Sequence, residues 1–456
     1  MIWNFLTVAI ALAVMGLLTS TAAGEPDAAL DEIRETVAQL KEQIANQQLQ
    51  LDEQAEMLQT AQEDAVDAQE AADAADEADS NLSKFLEMTE INSWINVNYT
   101  HNSRGRGNDQ SINQNSNTGF HSDNDSFKVD QLWFQFDKPV SSESRVGYHA
   151  DIAFGETARG DLGVAGNDAV TVYSAYISYL APLGYSGVRL DAGELWTLLG
   201  AEVVPVSENM NITRGLVWGL QPVSNTGAIL STQVGPVSLS FGVVNAVVSD
   251  AAIDTDRNKA LTGQVKFEAE QWDIAASFIH GSRLGALEDS GIAIDGTNPA
   301  CMDPVTAPVP PCPTFPVNND ADRSDLGIFD LVFTADPSDR VTLYLNFDYV
   351  WSHPADAPNT STYGLAMAGH YQWTEVIGAA LRFEAVVTDP SDGGSEDEYS
   401  ITATGDYLLT DGLTARGEVR FDWGVGGKYR SAGTPYSVPR GHDNQTLFLA
   451  ELIYSF

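Results

Sequence analysis

Charged residues two positions apart recur along this chain. In LTARGEVRFDW, Arg416, Glu418, Arg420 and Asp422 alternate with apolar neighbours, and IGAALRFEA sets Arg382 and Glu384 in the same way. Arg189 with Asp191 and the stretch from Arg340 to Asp348 add further rows, and Asp151 stands in VGYHADIAF. Residues two apart in an extended chain share one face. Opposed guanidinium and carboxylate rows beside a wet passage create a transverse field, which orients dipolar solutes and excludes apolar ones. An arginine row there is also a place for a small anion or carboxylate to dwell. With no passage beside them, the same pairs only solvate and brace a wall.

Bond-making chemistry has less to work with. The seven histidines (101, 121, 149, 280, 353, 370 and 442) are scattered, mostly in loops or near segment ends, with no serine and orienting acid placed to form a hydrolytic triad. No phosphate loop, zinc spacing or dinucleotide fingerprint occurs. The chain is therefore expected to be non-enzymatic and to need no cofactor or metal. GNDQSINQNSNTGFHSDNDS and SDGGSEDE are acidic stretches with two readings, weak calcium sites or simply solvated loops. With 64 acidic residues against 23 basic ones and a formal charge of −41, a nucleic-acid partner is disfavoured.

The elements that must position these rows follow a two-residue period from about residue 90 onward. RVTLYLNFDYVW sets Val341, Leu343, Leu345, Phe347, Tyr349 and Trp351 against Arg340, Thr342, Asn346 and Asp348. About sixteen such segments, of roughly ten residues each, have the length that crosses a bilayer at a tilt. They begin near 93, 127, 145, 170, 188, 226, 237, 260, 272, 326, 340, 363, 377, 398, 413 and 446. None of the prolines is expected inside them; Pro139, Pro182, Pro236 and Pro337 fall in short links. Links after even-numbered segments are short, such as VGPV, and those after odd-numbered ones are mostly long and polar. That alternation predicts an all-β fold, a transmembrane antiparallel up-and-down barrel of about 16 strands over 90–456. A soluble β-sandwich is the competing fold.

Two further pieces precede the barrel. MIWNFLTVAIALAVMGLLTSTAAGEP resembles a secretory signal peptide over 1–23, although its basic start is missing; an uncleaved anchor is the alternative. Residues 27–80 lack Gly, Pro and aromatic residues and keep a heptad, with Leu30, Val37, Ile44, Leu51 and Leu58 at one apolar position and Ile33, Leu40, Gln47 and Gln54 at the other. This predicts a self-associating coiled coil on the order of 75 Å long, with two glutamine layers that fix register. A solvated single helix or an acidic linker would carry the same composition. Export would also allow a Cys301–Cys312 disulfide across the longest loop.

The last ten residues, LFLAELIYSF, place Phe448, Ala450, Leu452, Tyr454 and Phe456 on one face. This aromatic-terminated strand resembles the C-terminal assembly signal of Gram-negative outer-membrane proteins, carried by Tyr454 and Phe456. Within the body, GAEVVPVSENMNITRGLVWGLQPVSNTGAIL resembles the OmpL-like β-barrel porin family, with matches at Gly200, Pro205, Asn209, Thr213, Arg214, Gly215, Gln221, Pro222, Thr226 and Gly227. Ala246, where VVNG would be expected, departs from it. By likeness to general porins, the link 195–225 folds into the barrel and projects Glu208 and Arg214 into the channel; packing over the rim or against a neighbouring subunit is the alternative.

Together these features imply an outer-membrane porin, a passive channel for small hydrophilic solutes. Its expected partners are outer-membrane lipid and two further copies in a homotrimer, with the coiled coil as a periplasmic stem that reaches towards the cell wall. The pore-lining residues are expected to be Arg189, Asp191, Glu208, Arg214, Arg340, Asp348, Arg382, Glu384, Arg416, Glu418, Arg420 and Asp422. The alternative is a structural tether to the cell wall whose barrel is mainly an anchor.

Overall fold

Each of sixteen strands pairs with its sequence neighbours, and the last pairs with the first, so the computed structural model contains a closed antiparallel barrel. The structure describes residues 26–103, 120–121, 124–160, 170–184, 186–247, 259–282, 325–353, 358–424, 429–430, 441–442 and 444–456. The expected leader over 1–23, Cys301 and Cys312 lie outside them.

The strands are β1 (Glu90–Asn102), β2 (Ser126–Lys138), β3 (Val146–Phe154), β4 (Val170–Ala181), β5 (Val188–Trp196), β6 (Ser224–Val234), β7 (Val237–Val244) and β8 (Ala260–Glu268). The second half comprises β9 (Trp272–Ser282), β10 (Asp325–Ser338), β11 (Val341–His353), β12 (Thr360–Gln372), β13 (Ile377–Pro390), β14 (Glu396–Thr410), β15 (Leu413–Gly424) and β16 (Asn444–Ser455). Every start lies within three residues of the position expected from the alternation. Closure through β1 and β16, from Trp94↔Ser455 to Asn102↔Leu447, excludes the sandwich. It also leaves no unpaired strand edge, which hydrocarbon would penalise.

The prolines need one correction. Pro337 falls inside β10 and Pro390 ends β13. Pro337 is accommodated because the β10–β11 register slips between Ala335 and Ser338, so the ladder there does not need its missing N–H.

The pleat separates two chemistries. On β11, Tyr344, Asn346 and Asp348 are buried on the inner side while Leu343 and Leu345 are exposed on the outer side. On β16, Phe448, Leu452 and Tyr454 are exposed outside, and Leu447, Leu449, Glu451 and Ile453 are buried inside. Two aromatic groups mark the ends of the outer surface. Towards the long links, Tyr349 stacks at 5.6 Å on Trp351 and 5.1 Å from Tyr363, and Trp423 lies 5.4 Å from Phe421 and 5.5 Å from Tyr399. Towards the short links, Trp272 lies 5.5 Å from Phe267 and 6.1 Å from Phe333, and Tyr454 stacks on Phe456 at 5.7 Å. An apolar band bounded by aromatic girdles is what a lipid-embedded barrel requires.

In the other unit, taken by itself, the described residues form one helix, α1 (Pro26–Met88), of 63 residues. It extends past the expected end at 80 and is about 95 Å long at ~1.5 Å per residue. Leu30, Val37, Leu51 and Leu58 are exposed along it, and Ile33, Leu40 and Ile44 are half-buried. In one chain the heptad seam thus lies open. Among the described residues no helix is long and apolar enough to cross a membrane.

Candidate functional site

The link 197–223 lies inside the barrel, and polar side chains of the inner wall hold it there. A segment without regular pairing must find partners for its backbone groups. Gln264 Nε2 donates to Leu198 O at 2.6 Å, and Ser277 Oγ donates to the same carbonyl at 2.9 Å. Gln131 Nε2 donates to Val204 O at 2.9 Å, while Gln131 Oε1 accepts from Val206 N at 3.1 Å. Arg416 donates to Asn209 O at 2.9 Å and to Val206 O at 3.2 Å. Arg420 Nη1 donates to Arg214 O at 2.6 Å.

Glu418 makes the densest of these contacts. It accepts from Ile212 N at 2.6 Å, Thr213 N at 3.1 Å, Thr213 Oγ1 at 2.6 Å and Thr404 Oγ1 at 2.7 Å. Arg382, beside it, donates to Thr213 O at 2.7 Å, pairs with Glu202 of the segment, and lies 3.1 Å from Glu384 Oε2. Glu384 in turn accepts from Val217 N at 3.2 Å. The two ends of the segment meet the same part of the wall: Gln221 Nε2 donates to Asp348 Oδ2 at 2.8 Å, and Ala201 N donates to Asn346 Oδ1 at 3.3 Å.

Asn209, Thr213, Arg214 and Gly215 form an N-x-x-x-[ST]-R-G core, and the contacts of these residues give that spacing a physical reason. Asn209 closes a turn on itself, with its amide bonded to Val203 N, Val203 O and Pro205 O. Thr213 supplies both N–H and hydroxyl to Glu418. Gly215 passes so close to the wall that an added Cβ would sit 1.9 Å from Glu384 Oε1, and Gly200 turns with φ +91°.

Arg214 does not project into the channel. It is 1% exposed and folds back onto its own segment, donating to Val203 O at 3.0 Å, Ile212 O at 3.1 Å and Val204 O. Its guanidinium caps the Phe120 ring at 5.1 Å. Burial lowers its pKa, against the opposing charges of Asp130, Glu202 and Glu451.

The remaining expected lining residues divide into three groups. Asp348, Arg382, Glu384, Arg416, Glu418, Arg420 and Asp422 are on the inner wall, as the alternation implies, but they are buried rather than open to water. The folded-in segment covers most of them, and Arg420 and Gln445 enclose Asp422 at 2.7 Å each. Arg340 is exposed in the two-residue turn between β10 and β11, at the short-link end rather than within a strand. Arg189 is open, with Nε 2.8 Å from the buried Asp191. Glu208 stands exposed on the segment's turn, next to exposed Ser207. Surrounding wall atoms still desolvate its carboxyl and raise its pKa; the Asp151 charge adds to this and His149 opposes it.

An aromatic pillar on the inner wall was not anticipated. Trp133 stacks on Trp94 at 5.4 Å, on Tyr173 at 5.0 Å and on Trp196 at 6.2 Å. Asp151 fixes it, accepting from Trp133 Nε1 at 2.9 Å and from Trp196 Nε1 at 2.8 Å, while His149 Nε2 lies 2.7 Å from the same carboxylate. Val204 and Val206 of the segment pack against the pillar. The parity of Trp94 and Trp133 within their strands is the signal that points them inward.

Solved outer-membrane proteins share this architecture. The in-vitro folded OmpT of Vibrio cholerae, in its trimer form, is similar over 81% of this chain and 99% of its own, with TM-score 0.52 and 11% identity. The outer membrane channel DcaP of Acinetobacter baumannii aligns over 81% of this chain and 97% of its own, with TM-score 0.49 and 13% identity. At 11% identity the likeness to OmpT is one of fold. A search of curated protein sequences finds no match. The family model described as "Putative beta-barrel porin-2, OmpL-like" matches residues 88–456, the whole barrel, and the chain belongs to that family.

Proposed function

We propose that this outer-membrane porin is a passive diffusion channel for small hydrophilic solutes, acting without a cofactor or catalytic step. The observation that carries the proposal is the segment 197–223. Polar contacts seat it within the barrel, and its Ser207–Glu208 turn is left in water. A barrel that served only to anchor would be better filled by apolar side chains, because a buried polar network stabilises no more than well-packed apolar residues do. The assembly is a homotrimer, and α1 is a periplasmic stem whose exposed heptad pairs with the same helix of the other copies.

The test is single-channel recording of the full mature chain in planar bilayers. Discrete ohmic openings are expected, together with swelling of protein-loaded liposomes in small sugars or amino acids. A barrel that inserts without conducting would leave the second reading, a tether towards the cell wall. What favours that reading is the uninterrupted 63-residue helix.

A further inference from the structure

The bases that would draw anions into the bore are not in contact with its water. Arg382 and Arg420 are fully buried, Arg214 is 1% exposed and Arg416 is 9% exposed. Their donors are turned to carbonyls of segment 197–223 and to neighbouring carboxylates. Arginines in that position act as structural ties. A mobile anion would have to displace a bonded partner to reach any of them, so they contribute little to selectivity.

The inner-wall charges that do meet water have the opposite balance. Arg189, with 48% of its side chain exposed, is held 2.8 Å from Asp191. On β8, Lys266 lies 2.7 Å from Asp273 and 3.3 Å from Glu268, so this open base faces two acids. His370 Nε2 is 2.9 Å from Asp406. On β2, the half-buried Asp137 lies 3.1 Å from His149, which is itself buried against Asp151 at 2.7 Å, so of these three groups only the Asp137 carboxylate meets water. Opposite the wall, the exposed Glu208 has no base within ion-pair distance among the described residues.

Each of these open bases along the strands is therefore matched or outnumbered by carboxylates, and the one charge that the folded-in segment leaves in water is negative. We infer that the bore selects for cations, admitting small cationic and zwitterionic solutes ahead of anions. This inference rests on the barrel being a diffusion channel. The wall acts through a fixed negative potential in a narrow aqueous space, which raises the local cation concentration and lowers that of anions. The effect is electrostatic and unsaturated, so it weakens as the Debye length falls from about 10 Å at 0.1 M salt to about 3 Å at 1 M.

The test is the reversal potential of the full mature chain in neutral phosphatidylcholine bilayers under a tenfold KCl gradient at pH 7. The expected sign is that of a potassium-preferring channel, with a K⁺:Cl⁻ permeability ratio of several-fold at low salt that declines towards one at high salt. Glu208→Gln lowers the ratio, Glu208→Lys lowers it further, and Lys266→Gln raises it, all with unchanged barrel circular dichroism. A reversal potential at zero or of chloride sign at low salt overturns the inference while leaving the channel intact. An inserted barrel with no conductance overturns this inference and the diffusion reading together. An unchanged ratio across all three variants refutes the assignment to these residues.

Discussion

Replacing Glu418 by alanine tests how the folded-in segment is retained. The carboxylate is 2% exposed and accepts four hydrogen bonds, two of them from backbone N–H groups of Ile212 and Thr213. Alanine leaves both donors without a partner at a dry contact. Each such loss costs about 1–3 kcal/mol, so the seated arrangement weakens by roughly 2–6 kcal/mol. At about 1.4 kcal/mol per decade, the population with the segment released rises at least ~30-fold. The neighbouring Arg382 also loses a favourable charge, which acts in the same direction. Wild-type channels should give quiet openings, and Glu418→Ala channels should show frequent transitions to a larger conductance. Glu418→Gln keeps a carbonyl acceptor and should fall between them. Circular dichroism confirms that the barrel persists, because the sixteen-strand ladder does not involve this side chain. Alanine channels with the conductance and noise of the wild type would show that the polar ties do not hold the segment, and the account of the N-x-x-x-[ST]-R-G core would fail with them.

Gly215→Ala should release the segment in the same way, since its Cβ would sit 1.9 Å from Glu384 Oε1 and one of the two must move; bilayer recordings with the closure noise of the wild type would contradict this. Glu208 has a raised carboxyl pKa, chiefly through desolvation, so on acidification it takes up its proton before an ordinary glutamate does, and cation preference should begin to fall at a higher pH than an ordinary glutamate would set. Glu208→Gln should remove that first step from the pH profile of the reversal potential. The linkage sign follows: this group's contribution to stability is complete below the unfolded-chain pKa and is lost as pH rises through the higher folded value, so Glu208→Gln should raise the thermal midpoint slightly at pH 7 and not at pH 4. If α1 holds the proposed trimer together, deleting residues 27–80 should lower the mass of the purified protein in detergent, read by light scattering; an unchanged mass would mean that the helix does not set the copy number.

Strand positions were legible because one face must suit hydrocarbon and the other water, a constraint that leaves its mark at every second residue. It located all sixteen strands and turned Arg382, Glu384, Arg416, Glu418, Arg420 and Asp422 inward. It could not say whether an inward residue meets water, because that depends on where the segment 197–223 lies, and the segment has no periodic pattern of its own. The error at Arg214 has the same origin. A lone guanidinium in an apolar stretch can reach outward or fold back onto carbonyls, and the choice here follows from Phe120 and the carbonyls of Val203, Val204 and Ile212. The helix runs on beyond the heptad stretch because Ser80 to Met88, though less alanine-rich, contains no residue that stops a helix.

The seam between β1 and β16 carries a consequence for truncation. The strand that completes the ring follows the other fifteen in the chain, and its second neighbour lies more than three hundred residues earlier. Without Asn444 to Ser455, the free edges of β1 and β15 have no counterpart. A chain that lacks this strand would carry a sheet with two open margins, each a template for wrong pairing.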